Sequence, residues 1–384
     1  MSFEPTTRHA RASSGRGLSV CCRAAVLALA GTYAAMGLAD ERVPPIGSPV
    51  DSNGQLRTQG NRIVNQDGVP VQLRGVCTHG LQWYGDFYRN GRAVEAAATT
   101  WAADVVRIAV YVYEGGYLDH PTLTPEDFDA MIDVLVDRCV NAGVYCIVDW
   151  HVHHPGDPAR YLEAARAFFD KTARRYAGVH NVIYEIANEP NPTGLPGVAE
   201  PRDVRWADIV AYADEIIPVI RRHSPDALVL VGTPDWCSFG ISGGHDWREV
   251  ADHPLEHDNV AYVVHYYAAG HTFHDQIDQI AQRLPLFATE WAAASWKPSS
   301  ENDLVKTQPW LDVLNRNQIG WTYWNFAPGD GVFGAFLPDT NPQDDLGPGS
   351  PAVSDTGRLM FFLLNTPRDD WSPPAARSTD DTNH

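Results

Sequence analysis

From residue 73 to residue 325, short apolar, β-branched runs alternate with amphipathic stretches at regular intervals. The apolar runs near 73–77, 104–110, 144–150, 181–187, 227–232, 260–266, 285–290 and 319–325 read as strands buried on both faces. Between them the spacing predicts helices near 91–102, 125–142, 158–177, 203–223, 274–283 and 302–317, while the link 233–259 reads as mostly loop. Upstream, Arg62-Ile63-Val64 and Val69-Pro70-Val71-Gln72-Leu73 flank Gln66-Asp67-Gly68, the pattern of a hairpin with Asp-Gly at its turn. Eight strands with intervening helices and no second domain predict a single closed (β/α)8 TIM barrel with an N-terminal β-hairpin, rather than an open doubly wound sheet. The barrel domain is expected over 61–365. Residues 40–60, rich in Pro, Gly, Ser and Asn, read as a flexible lead-in, and 366–384 as a disordered tail.

A barrel gathers its chemistry at the C-terminal ends of its strands, and the polar and aromatic residues of this chain fall there. The run Asn181-Val182-Ile183-Tyr184-Glu185-Ile186-Ala187 breaks off at Asn188-Glu189-Pro190, and Pro190 can neither continue a ladder nor donate to one. Glu189 is thereby held at the mouth. About a hundred residues later Leu286-Phe287-Ala288-Thr289-Glu290-Trp291 repeats the arrangement with Glu290. Two carboxyls on two strand ends suit glycoside hydrolysis, in which one serves as acid/base and the other as nucleophile or base. One must stay protonated near neutral pH and the other ionised, so a cation such as Arg107 is an expected companion. His79, Trp83, Asp149, His151, Trp236, His265, Tyr267 and Trp324 fall on other strand ends. Trp83, Trp236, Trp291 and Trp324 lie on four different ones, placed to stack on flat sugar faces, and the remaining tryptophans of the twelve read as core. Glu185, within its strand, reads as a structural carboxylate paired to a neighbouring cation. His151, His153 and His154 with Asp149 resemble a metal cluster. Alternation sends His154 to the opposite side, however, and no further acidic ligand lies nearby in sequence, so neither a metal nor a cofactor is expected.

Composition changes the picture in two ways. The 384-residue chain carries −19, and its first 39 residues carry four Arg and one Glu, a net +3 that leaves −22 for the remainder. That acidity argues against nucleic acid or an anionic membrane as partner and suits a neutral substrate. Arg8, Arg11 and Arg16 precede an apolar stretch from Ala24 to Leu38, and Gly37-Leu38-Ala39 stands before Asp40, the pattern of a secretory signal peptide over 1–39. The stretch is short for a membrane span and no stop-transfer pattern follows it. A secreted monomer with no stable membrane association is expected. Cys21 and Cys22 fall in the signal. Cys77, Cys139, Cys146 and Cys237 match no zinc spacing, and a Cys139–Cys146 bridge is feasible but not required.

His79-Gly80-Leu81-Gln82-Trp83-Tyr84-Gly85, Val148-Asp149-Trp150-His151, Tyr184-Glu185-Ile186-Ala187-Asn188-Glu189-Pro190, His265-Tyr266-Tyr267-Ala268 and Phe287-Ala288-Thr289-Glu290-Trp291 stand in an order that resembles glycoside hydrolase family 5, in particular its bacterial endoglucanase branch. The resemblance implies acid/base duty for Glu189 and nucleophile duty for Glu290, with Asn188 on the sugar 2-hydroxyl. It implies that Arg107 and Tyr267 hydrogen-bond the nucleophile, that His151 and His265 line the cleaved sugar's subsite and orient the acid/base, that Trp324 floors that subsite, and that His79 and Trp83 bind glucan. A β-glucan such as cellulose is the implied substrate, with mannan, mixed-linkage glucan or a non-catalytic carbohydrate-binding role as alternatives. Two departures bear on substrate preference. Ala292-Ala293-Ala294 follow the second motif where the branch usually has Gly, and the Ser-Asp-Lys run common after the last strand is absent from Trp324-Asn325-Phe326-Ala327-Pro328-Gly329-Asp330.

Overall fold

The computed structural model describes residues 43–297 and 300–367. The proposed signal peptide and the tail from 368 onward lie outside the described residues. Eight strands, β3 (Arg74–Cys77), β4 (Val105–Tyr111), β5 (Tyr145–His151), β6 (Val182–Glu185), β7 (Val229–Val231), β8 (Val260–Tyr267), β9 (Leu286–Ala292) and β10 (Gly320–Trp324), follow a hairpin of β1 (Arg57–Gln59) and β2 (Arg62–Val64). β3 to β10 pair in parallel and in sequence, and β10 closes on β3. The closed (β/α)8 barrel and the N-terminal hairpin are therefore both present.

Local chemistry explains the helices that the sequence announced. The Pro125–Ala142 helix starts at Thr124, whose hydroxyl and the Asp127 carboxylate close a capping box, with Pro125 where no amide hydrogen is needed. It ends at Gly143, whose φ of 70° is the left-handed conformation that a C-cap favours. One face of it, including Phe128, Met131, Leu135 and Cys139, is buried. The 233–259 link contains two short helices, Pro234–Cys237 and Arg248–Ala251. Two longer helices escaped the sequence reading. Leu81–Tyr88 is broken at Tyr84, which has non-helical angles. Asp355–Asn365 follows a Gly- and Pro-rich stretch and packs Met360, Leu363 and Leu364 inward.

Alternation divides each strand between two cores. On β5, Tyr145 and Ile147 join Val105, Ile183, Leu230, Val263 and Phe287 inside the barrel, while Cys146, Val148 and Trp150 join the layer beneath the helices. The reading of 40–60 as a flexible lead-in is overturned for its described part. Pro49–Asn53 is helical, and Val50, Leu56, Ile63 and Val71 are buried in the same cluster as the barrel interior. The Tyr145 hydroxyl donates to the Gly54 carbonyl at 2.6 Å and the Thr58 amide donates to Asn259 Oδ1 at 2.7 Å. The polar composition of the lead-in hid two apolar anchors, Val50 and Leu56, which with Ile63 and Val71 of the hairpin region close the end of the barrel opposite the candidate site. The expected arms pair antiparallel about the Asp67-Gly68 turn, through the Val64–Pro70 bridge and the bonds Asn65 N–H to Val69 O and Val71 N–H to Ile63 O, and β1 adds a strand to β2 that the sequence did not announce.

Cys77, Cys139, Cys146 and Cys237 are buried free thiols. Cys146 points outward as alternation requires, into the same buried layer as Cys139, without a bridge. No helix among the described residues is long and apolar enough to cross a membrane.

The barrel's tightest backbone contact lies at Gly75, where a Cβ would stand 1.8 Å from the Val105 carbonyl oxygen of the neighbouring strand. Backbone cannot move aside as a flexible side chain can. Gly75→Ala is therefore expected to cost about 1–3 kcal/mol or more, read as a lower denaturant midpoint with unchanged slope; wild-type stability would show that β3 and β4 can separate freely.

Candidate active site

The site is built around Arg107, which β4 sends into the barrel with no solvent exposure. Its Nε donates to Glu185 Oε2 at 2.7 Å, and Nη2 donates to Glu185 Oε1 at 3.0 Å and to Asn188 Oδ1 at 2.6 Å. Asp149 Oδ2 lies 3.0 Å from Nη2 and Glu290 Oε2 lies 3.4 Å from Nη1. One guanidinium thus binds residues from β5, β6, β9 and the turn after β6. Glu185 is the structural, cation-paired carboxylate that its place within the strand implied.

Glu290 receives a second hydrogen bond, from the Tyr267 hydroxyl at 2.6 Å. Glu189 pairs with His265 Nδ1 at 2.9 Å, and His265 Nε2 lies 2.8 Å from Thr289 Oγ1. His151 is held by Asp149 at 2.6 Å and stacks against Tyr111, with ring centroids 4.0 Å apart, and more loosely on Trp324 at 5.8 Å. One carboxylate oxygen each from Glu189 and Glu290 and a ring nitrogen of His265 lie within 4.8 Å of one another. The seven polar residues singled out in the sequence, Glu189, Glu290, Arg107, Asn188, His151, His265 and Tyr267, therefore converge.

Glu290 reaches this position through an irregularity in β9. Val263 pairs with Phe287 but His265 pairs with Glu290, and on the other side Trp321 pairs with Ala288 but Tyr323 with Trp291. Each partner strand advances two residues while β9 advances three, which is a β-bulge. Phe287 faces the interior cluster and Ala288 the outer layer. The extra residue then lets both Thr289 and Glu290 point inward.

The same bulge corrects one assignment. Trp291 does not bind substrate from the cleft: it is fully buried in the helix-facing layer, stacked on Tyr266 at 5.3 Å and edge-on to Tyr323 at 4.8 Å. Its neighbour Glu290 takes the inward direction, so Trp291 must take the outward one. Trp236, Trp324 and His79 do line the cleft of about 950 Å³ above the carboxyls. Asp235, Trp236 and Cys237 all have left-handed φ, 55°, 55° and 57°, a strained non-glycine run that presents the Trp236 ring. Trp83 stands at the rim, 51% exposed, edge-on to Tyr111 and His79, which both line the cleft. Tyr111, Thr289, Phe333 and the half-exposed Trp296 were missed. Tyr111 ends β4, so the strand-end rule could have found it, whereas Thr289 was concealed by the bulge.

The predicted absence of a nearby acidic ligand is also corrected. Glu114, on the loop after β4, brings a carboxylate oxygen within 4.8 Å of His153 and His154. Glu114 hydrogen-bonds His153 at 2.9 Å, and Thr193 meets His154 Nδ1 at 2.6 Å, so the protein's own groups occupy a ring nitrogen of each imidazole.

Electrostatics separate the two converging carboxyls. Burial raises the pKa of Glu189; burial and then the Glu189 charge raise that of Glu290, opposed by His265, Arg107 and the Tyr267 bond. Asp149 is pushed well up by burial despite Arg107. Burial holds His265 down to about 4 and His151 well below the usual range, so both imidazoles are neutral near pH 7. Three carboxyls, those of Asp149, Glu185 and Glu290, lie against the one Arg107 guanidinium, while Glu189 stands beyond it against His265. Arg107 and Tyr267 both favour the anion of Glu290, while Glu189 faces a neutral ring.

A closed parallel barrel whose C-terminal mouth brings together two buried glutamates in unlike hydrogen-bonding surroundings fits the glycoside hydrolase class. The chain belongs to glycosyl hydrolase family 5: residues 64–330 match the family profile described as Cellulase (glycosyl hydrolase family 5). It is similar to endoglucanase MaCel5A of Microbulbifer sp. (strain ALW1), at 41% identity over 73% of this chain and 52% of that protein. It is similar to endoglucanase CelA of Streptomyces lividans, at 36% identity over 84% of this chain and 67% of that protein. The chain thus spans about half to two-thirds the length of such curated relatives. The crystal structure of the catalytic domain of a Thermobifida fusca endoglucanase superposes with a TM-score of 0.75 at 34% identity, covering 83% of this chain and all of that one. A variant of that domain has been solved in complex with cellotetraose.

Arg107→Met is expected to destabilise the fold by about 3–5 kcal/mol at pH 7, because it strands buried carboxylates. The deficit should shrink on acidification. Arg107 holds the folded pKa values of Asp149 and Glu290 down against burial, so its loss raises them further. The deficit is absent below the wild-type folded values, where both proteins are protonated at these groups, and grows as pH rises through the interval to the variant's values. Urea unfolding of both proteins at pH 4 and pH 7 measures it, and a deficit independent of pH would show that packing, not charge, is lost.

Proposed function

We propose that the chain is an exported, monomeric endo-β-1,4-glucanase that cleaves by retaining double displacement. The observation that carries this reading is the approach of Glu189 and Glu290 to within 4.8 Å between carboxylate oxygens. It suits the separation of roughly 5–5.5 Å expected of retaining glycosidases better than the roughly 6.5–9.5 Å of an inverting pair. Export rests on the N-terminal sequence pattern, and the monomer on a single chain supplying every residue of the site.

In the first step Glu189 gives its proton to the glycosidic oxygen while the Glu290 carboxylate attacks the anomeric carbon. The leaving glucan departs as an alcohol and a covalent glycosyl-enzyme remains. In the second step the Glu189 carboxylate takes a proton from water, whose oxygen displaces Glu290 and restores the β-anomer. Asn188, fixed by Arg107 through Oδ1, presents Nδ2 for the sugar 2-hydroxyl, and Tyr267 keeps Glu290 aimed. His79, Trp83, Trp236 and Trp324 offer ring faces to the apolar faces of glucose. The endoglucanase relatives and the cellotetraose-bound neighbour support a β-1,4-glucan over mannan, whose axial hydroxyl would disturb both stacking and the Asn188 contact.

Glu290→Ala should abolish turnover on every substrate. Glu189→Ala should spare the first step for aryl cellobiosides with good leaving groups. NMR of the first-formed product should show the β-anomer, and carboxymethyl-cellulose should lose viscosity faster than it gains reducing ends. An α-product would remove the nucleophile assignment, and faster cleavage of mannan would remove the glucanase reading.

A further inference from the structure

The proposed acid/base does not stand alone on its histidine. A continuous chain of hydrogen bonds runs from Glu189 Oε1 to His265 Nδ1 (2.9 Å), from His265 Nε2 to Thr289 Oγ1 (2.8 Å), and from Thr289 Oγ1 to Glu185 Oε1 (2.8 Å). It ends on Arg107, whose two bonds to Glu185 mark that side chain as a carboxylate, an acceptor only. All four members before Arg107 are buried. We infer that Thr289, anchored on Glu185, fixes the tautomer of His265 and through it keeps the proton on Glu189. This rests on the acid/base role proposed for Glu189 and assigns Thr289 as a positioning residue for it.

Proton counting gives the direction. Thr289 owns one hydroxyl hydrogen, and Glu185 can only accept, so that hydrogen points to Glu185 Oε1. The Thr289 lone pair then faces His265 Nε2, which must carry the ring hydrogen. His265 is neutral, held down to about 4 by burial, so its Nδ1 is a bare lone pair. The 2.9 Å contact with Glu189 is then a hydrogen bond only if the Glu189 carboxyl supplies the hydrogen. Removing that proton sets two lone pairs against each other, unless Thr289 turns its hydroxyl to His265, the ring hydrogen moves to Nδ1 and the Thr289 bond to Glu185 is lost. The relay thus favours the acid form in the resting enzyme. It also offers an alternative arrangement for the anionic form, with Nδ1–H donating to Glu189.

Other groups face Glu189 as well. Glu290 stands across on β9, Arg107 and Tyr111 on β4, Tyr267 on β8, and Asp149, His153 and His154 on β5 and the turn after it, with Cys237 beyond β7. His153, Arg107 and His154 pull its proton affinity down, opposing the burial that raises it. None of these groups reads the His265 tautomer, which only Thr289 touches at Nε2 among the described residues.

Two measurements on the full chain test the inference. Nitrogen-15 NMR of the histidine rings in the resting wild type should find His265 protonated at Nε2 and bare at Nδ1; the opposite tautomer overturns the proposal without any variant. Thr289→Val keeps the β-branched shape but not the hydroxyl, freeing the ring to donate from Nδ1 and favouring the Glu189 anion. The alkaline limb of kcat/KM on cellopentaose should then move down by about one pH unit, the worth of one lost hydrogen-bond preference. Its kcat/KM on cellopentaose should fall relative to that on 2,4-dinitrophenyl cellobioside as pH rises, and Thr289→Ser should restore the limb. A folded Thr289→Val with the wild-type limb overturns the proposal. Glu189→Ala with undiminished cellopentaose cleavage would instead overturn the acid/base reading on which it rests.

Discussion

Arg107 is the one interaction on which the rest of the site depends. Its guanidinium is fully buried and reaches Glu185, Asp149, Asn188 and Glu290, which belong to three other strands and the turn beyond β6. A buried charge is tolerated only where partners satisfy it, and buried carboxylates are tolerated only beside a cation, so each enforces the position of the others. The two glutamates at the mouth differ in their hydrogen-bond partners: Tyr267 and Arg107 stand on Glu290, and a neutral His265 stands on Glu189.

That asymmetry needs a rigid frame. The barrel interior below the site is filled by inward residues of successive strands, and the segment from Val50 to Val71 closes its floor with four apolar side chains. The floor and the site lie at opposite ends of the same strands, which matches the division of a barrel into a stabilising end and a chemical end. On β5 one alternating row passes from Tyr145 and Ile147 in the floor to Asp149 and His151 in the site. The same β-strand period that packs the core therefore delivers the polar side chains above it.

Much of this was legible in the sequence. The alternating apolar runs located β3 to β10, and capping signals located the Pro125–Ala142 helix at both ends. Asn188-Glu189-Pro190 marked a strand end because proline stops a ladder, and the mid-strand place of Glu185 implied an ion pair with a neighbouring cation, which the structure identifies as Arg107. These features depend on residues near one another in the chain, so local rules suffice. The lead-in was misread, and the Leu81–Tyr88 and Asp355–Asn365 helices went unannounced, for the complementary reason. Their composition and internal angles say little, and burial against distant strands decides their structure.

The sequence by itself determined the strand order, the acidic mouth and the identity of the residues that meet there, because period, proline and charge are written along the chain. Only the tertiary structure decided which way β9 turns. Its bulge is defined by pairing with β8 and β10, and it makes Thr289 and Glu290 consecutive inward residues while sending Trp291 outward into the core. Likewise Glu114 meets His153 only because the loop after β4 folds back over the turn after β5. Alternation is a rule about neighbours along one strand, whereas a bulge or a loop crossing is set by the strands beside it, and those neighbours exist only once the barrel has closed.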